Sequence, residues 1–163
     1  MQCVRMRHMA SVYLKNGDKY LLLYRIGSRV IDSSWIGTAG GHFEINELGD
    51  PEACVLRELY EETGLTADDI QNLALRYVTQ RLKNGEIRQN HYFFADLKRP
   101  EREIESNEGT LKWFSEAELP SLSMPHSAKA VILHYLSEGK HTRSLYAGAS
   151  TESGCAFTEL TEF

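Results

Sequence analysis

Three carboxylates stand close together at Glu58, Glu61 and Glu62. On a helix, spacings of three and four bring all three to one side. Like charges held this near either raise one another's pKa or take up a cation. An all-oxygen cluster of this kind suits a hard ion such as Mg2+ or Mn2+ better than zinc. Magnesium shares its coordination with substrate phosphates, so the chemistry to look for is hydrolysis of a phosphate chain. An isolated Glu-x-x-Glu-Glu is also what a solvated acidic helix face looks like. The neighbours argue for more. Gly40-Gly41 upstream lets backbone approach closely and offers a carbonyl or amide, and Glu47 is within reach of an arginine such as Arg57.

The element that must carry the carboxylates is a helix beginning at Asp50-Pro51 and stopping at Gly64. Ala53, Leu56, Leu59, Tyr60 and Thr63 form its expected apolar stripe, with the glutamates roughly opposite. Ala10 to Lys15 and Lys19 to Arg25 read as strands around the turn Asn16-Gly17-Asp18. Ile26 to Ser34 reads as a loop, and Trp35 to Ala39 as a short strand ending at Gly40-Gly41. Leu73 to Leu82 and Ile87 to Leu97 flank a second hairpin turn at Lys83-Asn84-Gly85-Glu86, and Thr110 to Phe114 is one more strand. Pro125 opens a helix that Gly139 ends, through Ala128, Val131, Ile132, His134, Tyr135 and Leu136. The order is mixed, without regular βαβ alternation.

At 163 residues the chain is the size of one domain. We expect that domain over 1–139, with 140–163 a loosely held tail or a terminal β-hairpin pairing Ser144 to Ala147 with Ala156 to Leu160. A formal charge of −5 speaks against a broad basic face for a nucleic acid polymer but leaves room for a small nucleotide with its metal ions. Cys3, Cys54 and Cys155 are too few and too scattered for a disulfide framework or a zinc site, and Cys54 reads as a small packed residue. No run approaches membrane-spanning length. The expectation is a soluble, cytoplasmic protein with no membrane partner.

The stretch Arg57-Glu58-Leu59-Tyr60-Glu61-Glu62-Thr63-Gly64-Leu65, preceded by Gly41 and Glu47, resembles the signature of the Nudix hydrolase family. Two departures stand out. Nine residues rather than the family's seven separate Glu47 from Arg57, and Ala39 stands where many members have Pro. The additional residues fall around Leu48-Gly49-Asp50, ahead of the helix, so only the Glu47–Arg57 pairing is put in question.

The resemblance implies an α/β/α sandwich of the α+β type, with a mixed central sheet and a catalytic loop-helix-loop. It implies Glu58, Glu61 and Glu62 as metal ligands, joined by a carbonyl of Gly41 or Gly40. Arg57 would orient Glu58 and form a salt link with Glu47. The general base would be Glu58 or Glu108, the latter in the loop before Thr110. Arg25 would contact phosphate, and Trp35 would offer a stacking surface or serve as ordinary packing. Asn90, His91 and Tyr92 lie where a base edge could be read; His126 and His134 read as helix surface or core. The longer loop looks like the MutT/MutX-type branch, which implies conversion of a nucleoside triphosphate, 8-oxo-dGTP included, to the monophosphate and pyrophosphate with Mg2+ or Mn2+. The alternatives are another nucleoside diphosphate-linked compound such as ADP-ribose, or a nucleotide-sensing module without catalysis. A homodimer is compatible with the family, with the terminal hairpin as its interface.

Overall fold

Both tight turns form at an Asn-Gly pair, with left-handed backbone at the glycine of the first and at both residues of the second. Strand β1 (Arg5–Asn16) turns at Gly17, φ 59°, into β2 (Lys19–Arg25), and β5 (Ile70–Lys83) turns into β6 (Glu86–Leu97) through Asn84 and Gly85, φ 52° and 73°. In the second turn, positive φ at both central residues matches the twist of the arms it joins. The computed structural model describes residues 4–25 and 34–163. The expected loop from Ile26 therefore lies, up to residue 33, outside the described residues.

These hairpins build one mixed sheet in the order β3-β2-β1-β6-β5-β8-β9. Strand β3 is Trp35–Ile36, β8 is Leu145–Thr151 and β9 is Gly154–Leu160. Off this path, β4 (Ala39–His42) pairs with β1 and β7 (Gly109–Ser115) with β2. The expected single strand from Trp35 is thus two short strands broken at Gly37-Thr38, and Gly40-Gly41 lie inside the second. One edge of β1 carries β6 in parallel along Arg5 to Lys15. Its other edge is shared, β2 pairing at Leu14 to Asn16 and β4 at Met9 to Val12. Because β1 changes partner there, a cleft opens between the end of β2 and β4.

A helix lies on each face. Helix α1 (Pro51–Thr63) packs Cys54, Val55 and Leu59 on Val12, Leu14 and Phe93. Helix α2 (His126–Ser137) packs Val131, Ile132 and Tyr135 on Tyr13, Leu22 and Phe94. This is the α/β/α arrangement with a mixed sheet. The caps of α1 are those expected: Asp50 accepts from the Ala53 amide at 3.0 Å, Pro51 takes the first turn, and Gly64 closes the helix in left-handed backbone.

The expected stripe of α1 is corrected. Ala53 and Tyr60 are exposed, and Cys54, Val55, Leu59 and Glu62 are the buried residues. The helix is rolled so that Glu58 and Glu62 meet the β4 edge instead of standing opposite the core, and this roll carries Tyr60 out to solvent. The C-terminal segment is a hairpin joined to the central sheet, with β8 parallel to β5 and Tyr146 stacked on Tyr77 at 5.3 Å. Arg76, buried, ties it down by donating to the carbonyls of Gly139, Thr142 and Ser144 at 2.7 to 3.0 Å. Among the described residues no helix is long and apolar enough to cross a membrane.

Candidate active site

Arg57 is the hub of the α1 face that meets β4. Its Nε donates to Glu47 Oε1 at 2.6 Å and its Nη2 to Glu47 Oε2 at 3.0 Å, a two-pronged pair with a buried carboxylate. Its Nη1 donates to Glu58 Oε1 at 2.8 Å and Glu61 Oε2 at 3.0 Å, and Nη2 also reaches the His42 carbonyl at 3.0 Å. One guanidinium thus ties the loop, the helix and β4 together. The Arg57 fork holds the Glu47 carboxyl down at about 2.

Gly40 and Gly41 are at their positions for lack of room. A Cβ on Gly41 would sit 2.5 Å from Glu58 Cδ, and one on Gly40 would meet the Ala10 carbonyl at 2.5 Å. The Glu58 carboxylate therefore lies directly on Gly41, whose carbonyl also faces the Cys54 thiol at 3.9 Å. Burial pushes that thiol up to about 12, the state of a packed, unreactive cysteine.

Glu62 is the unsettled group. It is buried, its Oε2 has no hydrogen-bond partner among the described residues, and burial with the nearby Glu58 and Glu108 charges lifts its carboxyl to about 7. An orphaned buried carboxylate beside a second carboxylate and an open backbone is a donor set that a hard divalent cation satisfies. The residues present therefore fit such an ion, although among the described residues no three His, Cys, Asp or Glu side chains are already drawn together around one point. Glu61, with its side chain half exposed, is held outward by Arg57.

Glu108 reaches the same place from the other side. The Asn107 amide donates to the Glu62 carbonyl at 3.0 Å and the Asn107 side chain to the Glu61 carbonyl at 2.9 Å, docking this loop on the end of α1. Glu108 then pairs with Arg25 at 2.9 Å. Arg25, Glu108, Glu62, Glu58 and Gly41 thus line one end of the cleft. Asn107 escaped the sequence reading because an Asn in a polar loop, here between Ser106 and Glu108, carries only a turn signal.

Trp35 lies elsewhere. Its ring packs on Tyr24 at 5.1 Å and edge-on to Phe114 at 4.6 Å, while its neighbours Ser34 and Ile36 face the cleft. The stacking expectation is corrected to packing, since alternation along β3 turns its side chain away. Beyond Gly40 the cleft widens into a cavity of about 570 Å³ between the sheet and the start of α2. Asn90 and Tyr92 line it and so does His126, whereas His91 faces the opposite layer beside Phe43. His134 is core, bonded to the Tyr77 hydroxyl at 2.8 Å.

The family model for the NUDIX domain matches residues 5–135. The chain belongs to this family. Among solved structures it is similar to a mutator MutT protein from Bacillus halodurans, with 26% identity, 95% of each chain covered and a TM-score of 0.64. It is also similar to a NUDIX hydrolase from Nitrosomonas europaea at 19% identity, covering 90% of this chain and 79% of that one with a TM-score of 0.70. A C. elegans Ap4A hydrolase matches at 16% identity over 85% of this chain and all of its own, TM-score 0.62. The last two likenesses speak for the fold alone. Membership, together with the signature carboxylates Glu58, Glu61 and Glu62, makes this chain a pyrophosphohydrolase of the Nudix type.

Proposed function

We propose that the protein hydrolyses a nucleoside triphosphate of the kind taken by MutT proteins, 8-oxo-dGTP among the candidates, to the monophosphate and pyrophosphate with Mg2+ or Mn2+. The observation that carries this is the buried Glu62 oxygen without a partner among the described residues, set beside Glu58, with Arg25 and Gly40 next to it lining a nucleotide-sized cavity. Glu58, Glu61, Glu62 and a Gly41 or Gly40 carbonyl would hold the ion. When bound there, it neutralises charge on the phosphate chain and favours loss of pyrophosphate.

The chain's own groups supply the rest. Arg57 fixes the rotamer of Glu58. Arg25, held by Glu108, presents a guanidinium at the cavity entrance where a phosphate oxygen can replace the Glu108 contact. Water adds to phosphorus, the P–O anhydride bond breaks, and the water's proton passes to a carboxylate, either Glu58 or Glu108. Glu108, once released from Arg25, is the one with room to turn. Domain organisation follows the same reading: 1–139 carries the chemistry, and 140–163 braces it through β8.

The deciding experiment is a substrate panel with product identification in Mg2+: canonical and oxidised triphosphates, ADP-ribose and dinucleoside polyphosphates. Release of pyrophosphate and a monophosphate from a triphosphate, abolished in E62Q, supports the proposal. Turnover of ADP-ribose or a dinucleotide alone refutes the triphosphate assignment, and binding without turnover points to a sensing module.

A further inference from the structure

The floor of the cavity is laid in rows, one residue from each of three adjacent strands. Ser11, Tyr92 and Tyr77 are cross-strand partners deep under α2. Next come Met9, Asn90 and Thr79, then Arg7, Arg88 and Arg81. Cross-strand partners point to the same face, so three guanidinium groups stand side by side where the cavity opens. Lys83 lies one step farther along the same face of β5 and lines the same space.

This row is undercompensated. Glu86 Oε1 serves both Arg88, at 2.9 Å, and Arg7, at 3.7 Å. Arg81 has no ion pair among the described residues, and its Nε is buried without a hydrogen-bond partner. Two further orphans line the cavity: the hydroxyl of Tyr13, fully buried, and that of Ser34, 5% exposed. Four cations against one carboxylate, in a protein of net charge −5, is a local arrangement that repels itself unless an anion joins it. Planar guanidinium forks set in a row match the oxygens of a phosphate better than any neutral base edge.

Two members of the row, Arg88 on β6 and Arg81 on β5, are also remote from the bond to be cut. The anhydride belongs at Gly40-Gly41 on β4. Arg81 is three strand spacings from β4, which at about 4.8 Å each places it roughly 14 Å across the sheet. Asn90, Tyr13 and Ser34, neutral groups that suit a nucleoside, line the same cavity.

We propose that this cavity favours nucleotides that carry a second phosphate on the ribose, held by Arg7, Arg88 and Arg81 with Lys83, in addition to the 5′ chain held at Gly41 and Arg25. The inference rests on reading the cavity as the nucleotide site. It commits to a small bisphosphorylated nucleotide rather than an oligonucleotide. The cavity has room for about one nucleotide, and beyond the row the same face of β1 adds one further cation, Arg5, set opposite Glu86.

The test reads binding rather than turnover, so that it stands apart from the hydrolase proposal. The full-length protein without metal is titrated calorimetrically with adenosine and guanosine 5′-monophosphates, their 3′,5′-bisphosphates and 2′,5′-bisphosphates, their 5′-triphosphates, and the 5′-phosphorylated dinucleotides. For one base, a bisphosphate should bind about tenfold tighter than the monophosphate or more, as charge-assisted bonds to one new phosphate imply. In R81Q and in R88Q the ratio of the two affinities should fall to within about twofold of one, with R88K recovering part of it. Thermal unfolding of each variant checks that it folds, and R88Q stands in should R81Q not. Equal affinities for mono- and bisphosphate overturn the proposal. So does a triphosphate that gains as much and loses it in R81Q, which would give the row to the 5′ chain, and so does a dinucleotide that binds tighter than either bisphosphate. Failure of every nucleotide to turn over in Mg2+ would sink the hydrolase reading and leave this ratio intact.

Discussion

Replacing Glu47 by Gln tests the salt link that the lengthened loop puts in question. The carboxylate is buried and accepts three bonds, two from Arg57 at 2.6 and 3.0 Å and one from the Glu44 amide at 2.8 Å. Its carboxyl falls from the ordinary 4.5 to about 2. At about 1.4 kcal/mol per tenfold change in proton affinity, that fall corresponds to about 3 kcal/mol of stability at neutral pH. The amide of E47Q keeps the shape, loses the charge and turns an N–H toward a guanidinium. In a chain of this size that loss lowers the midpoint by roughly 6 to 12 °C. The sign with pH follows from the direction of the shift. A depressed carboxyl contributes fully above its unfolded value of 4.5 and loses that contribution as pH falls through about 2, so the gap between wild type and E47Q should be widest at pH 7 and narrow between pH 4.5 and 2. Urea unfolding at pH 7 and pH 3, with thermal scans in parallel, measures it. A gap under about 1 kcal/mol at pH 7, or one that widens in acid, refutes the reasoning.

Three further outcomes follow. Gly41→Ala forces the Glu58 carboxylate off the β4 edge; because that carboxylate is the far end of a flexible side chain, turnover should drop by about 10- to 100-fold while the unfolding midpoint hardly moves, and a fully active G41A would show that Glu58 does not work from this position. Glu62 has its folded value raised to about 7, so in the metal-free protein its charge destabilises progressively from pH 4.5 upward and fully above 7. E62Q should therefore unfold later than wild type at pH 8 in chelator, match it near pH 4.5, and lose the stabilisation that Mg2+ gives wild type; an E62Q less stable than wild type at pH 8 would contradict this. Ending the chain at Arg143 uncovers Tyr77 and removes one carbonyl that Arg76 holds, and should lower the midpoint by about 10 °C or more, whereas an unchanged midpoint would make β8 and β9 an appendage.

Helix α1 and both Asn-Gly hairpins were legible because their signals are local: a cap, a proline, a left-handed glycine, a period. The partners of β1 were not. The exchange of β2 for β4 along one edge, and the parallel pairing with β6 on the other, depend on contacts far apart in the chain that no local period encodes. The roll of α1 was misread for a related reason. Counting apolar residues favours Ala53 and Tyr60, yet a buried carboxylate at Glu62 shifts the inward face toward Val55 and Leu59, and composition gives no hint that a Glu belongs inside. The cationic row hides in the same way: Arg7, Arg81 and Arg88 are ordinary alternating strand residues until the register sets them abreast.

The additional residues between Glu47 and Arg57 show how a spacing rule can fail while its chemistry survives. What Arg57 needs is a carboxylate in space, not at a count along the chain. A short 3-10 turn at Ile45–Glu47 fixes Glu47 by its own backbone, with the Glu47 amide on the Glu44 carbonyl at 3.0 Å and the Asp50 amide on the Glu47 carbonyl at 2.8 Å. Between those anchors Leu48 and Gly49 bulge into solvent, where a Cβ at Gly49 would meet nothing. The surplus length is absorbed in the one stretch that touches neither core nor carboxylates, and the helix begins from Asp50 with its register intact. Insertions on the loop side of Asp50 are therefore tolerable to this site, whereas a single residue added between Arg57 and Glu62 would turn the following carboxylates by about 100° and dismantle it.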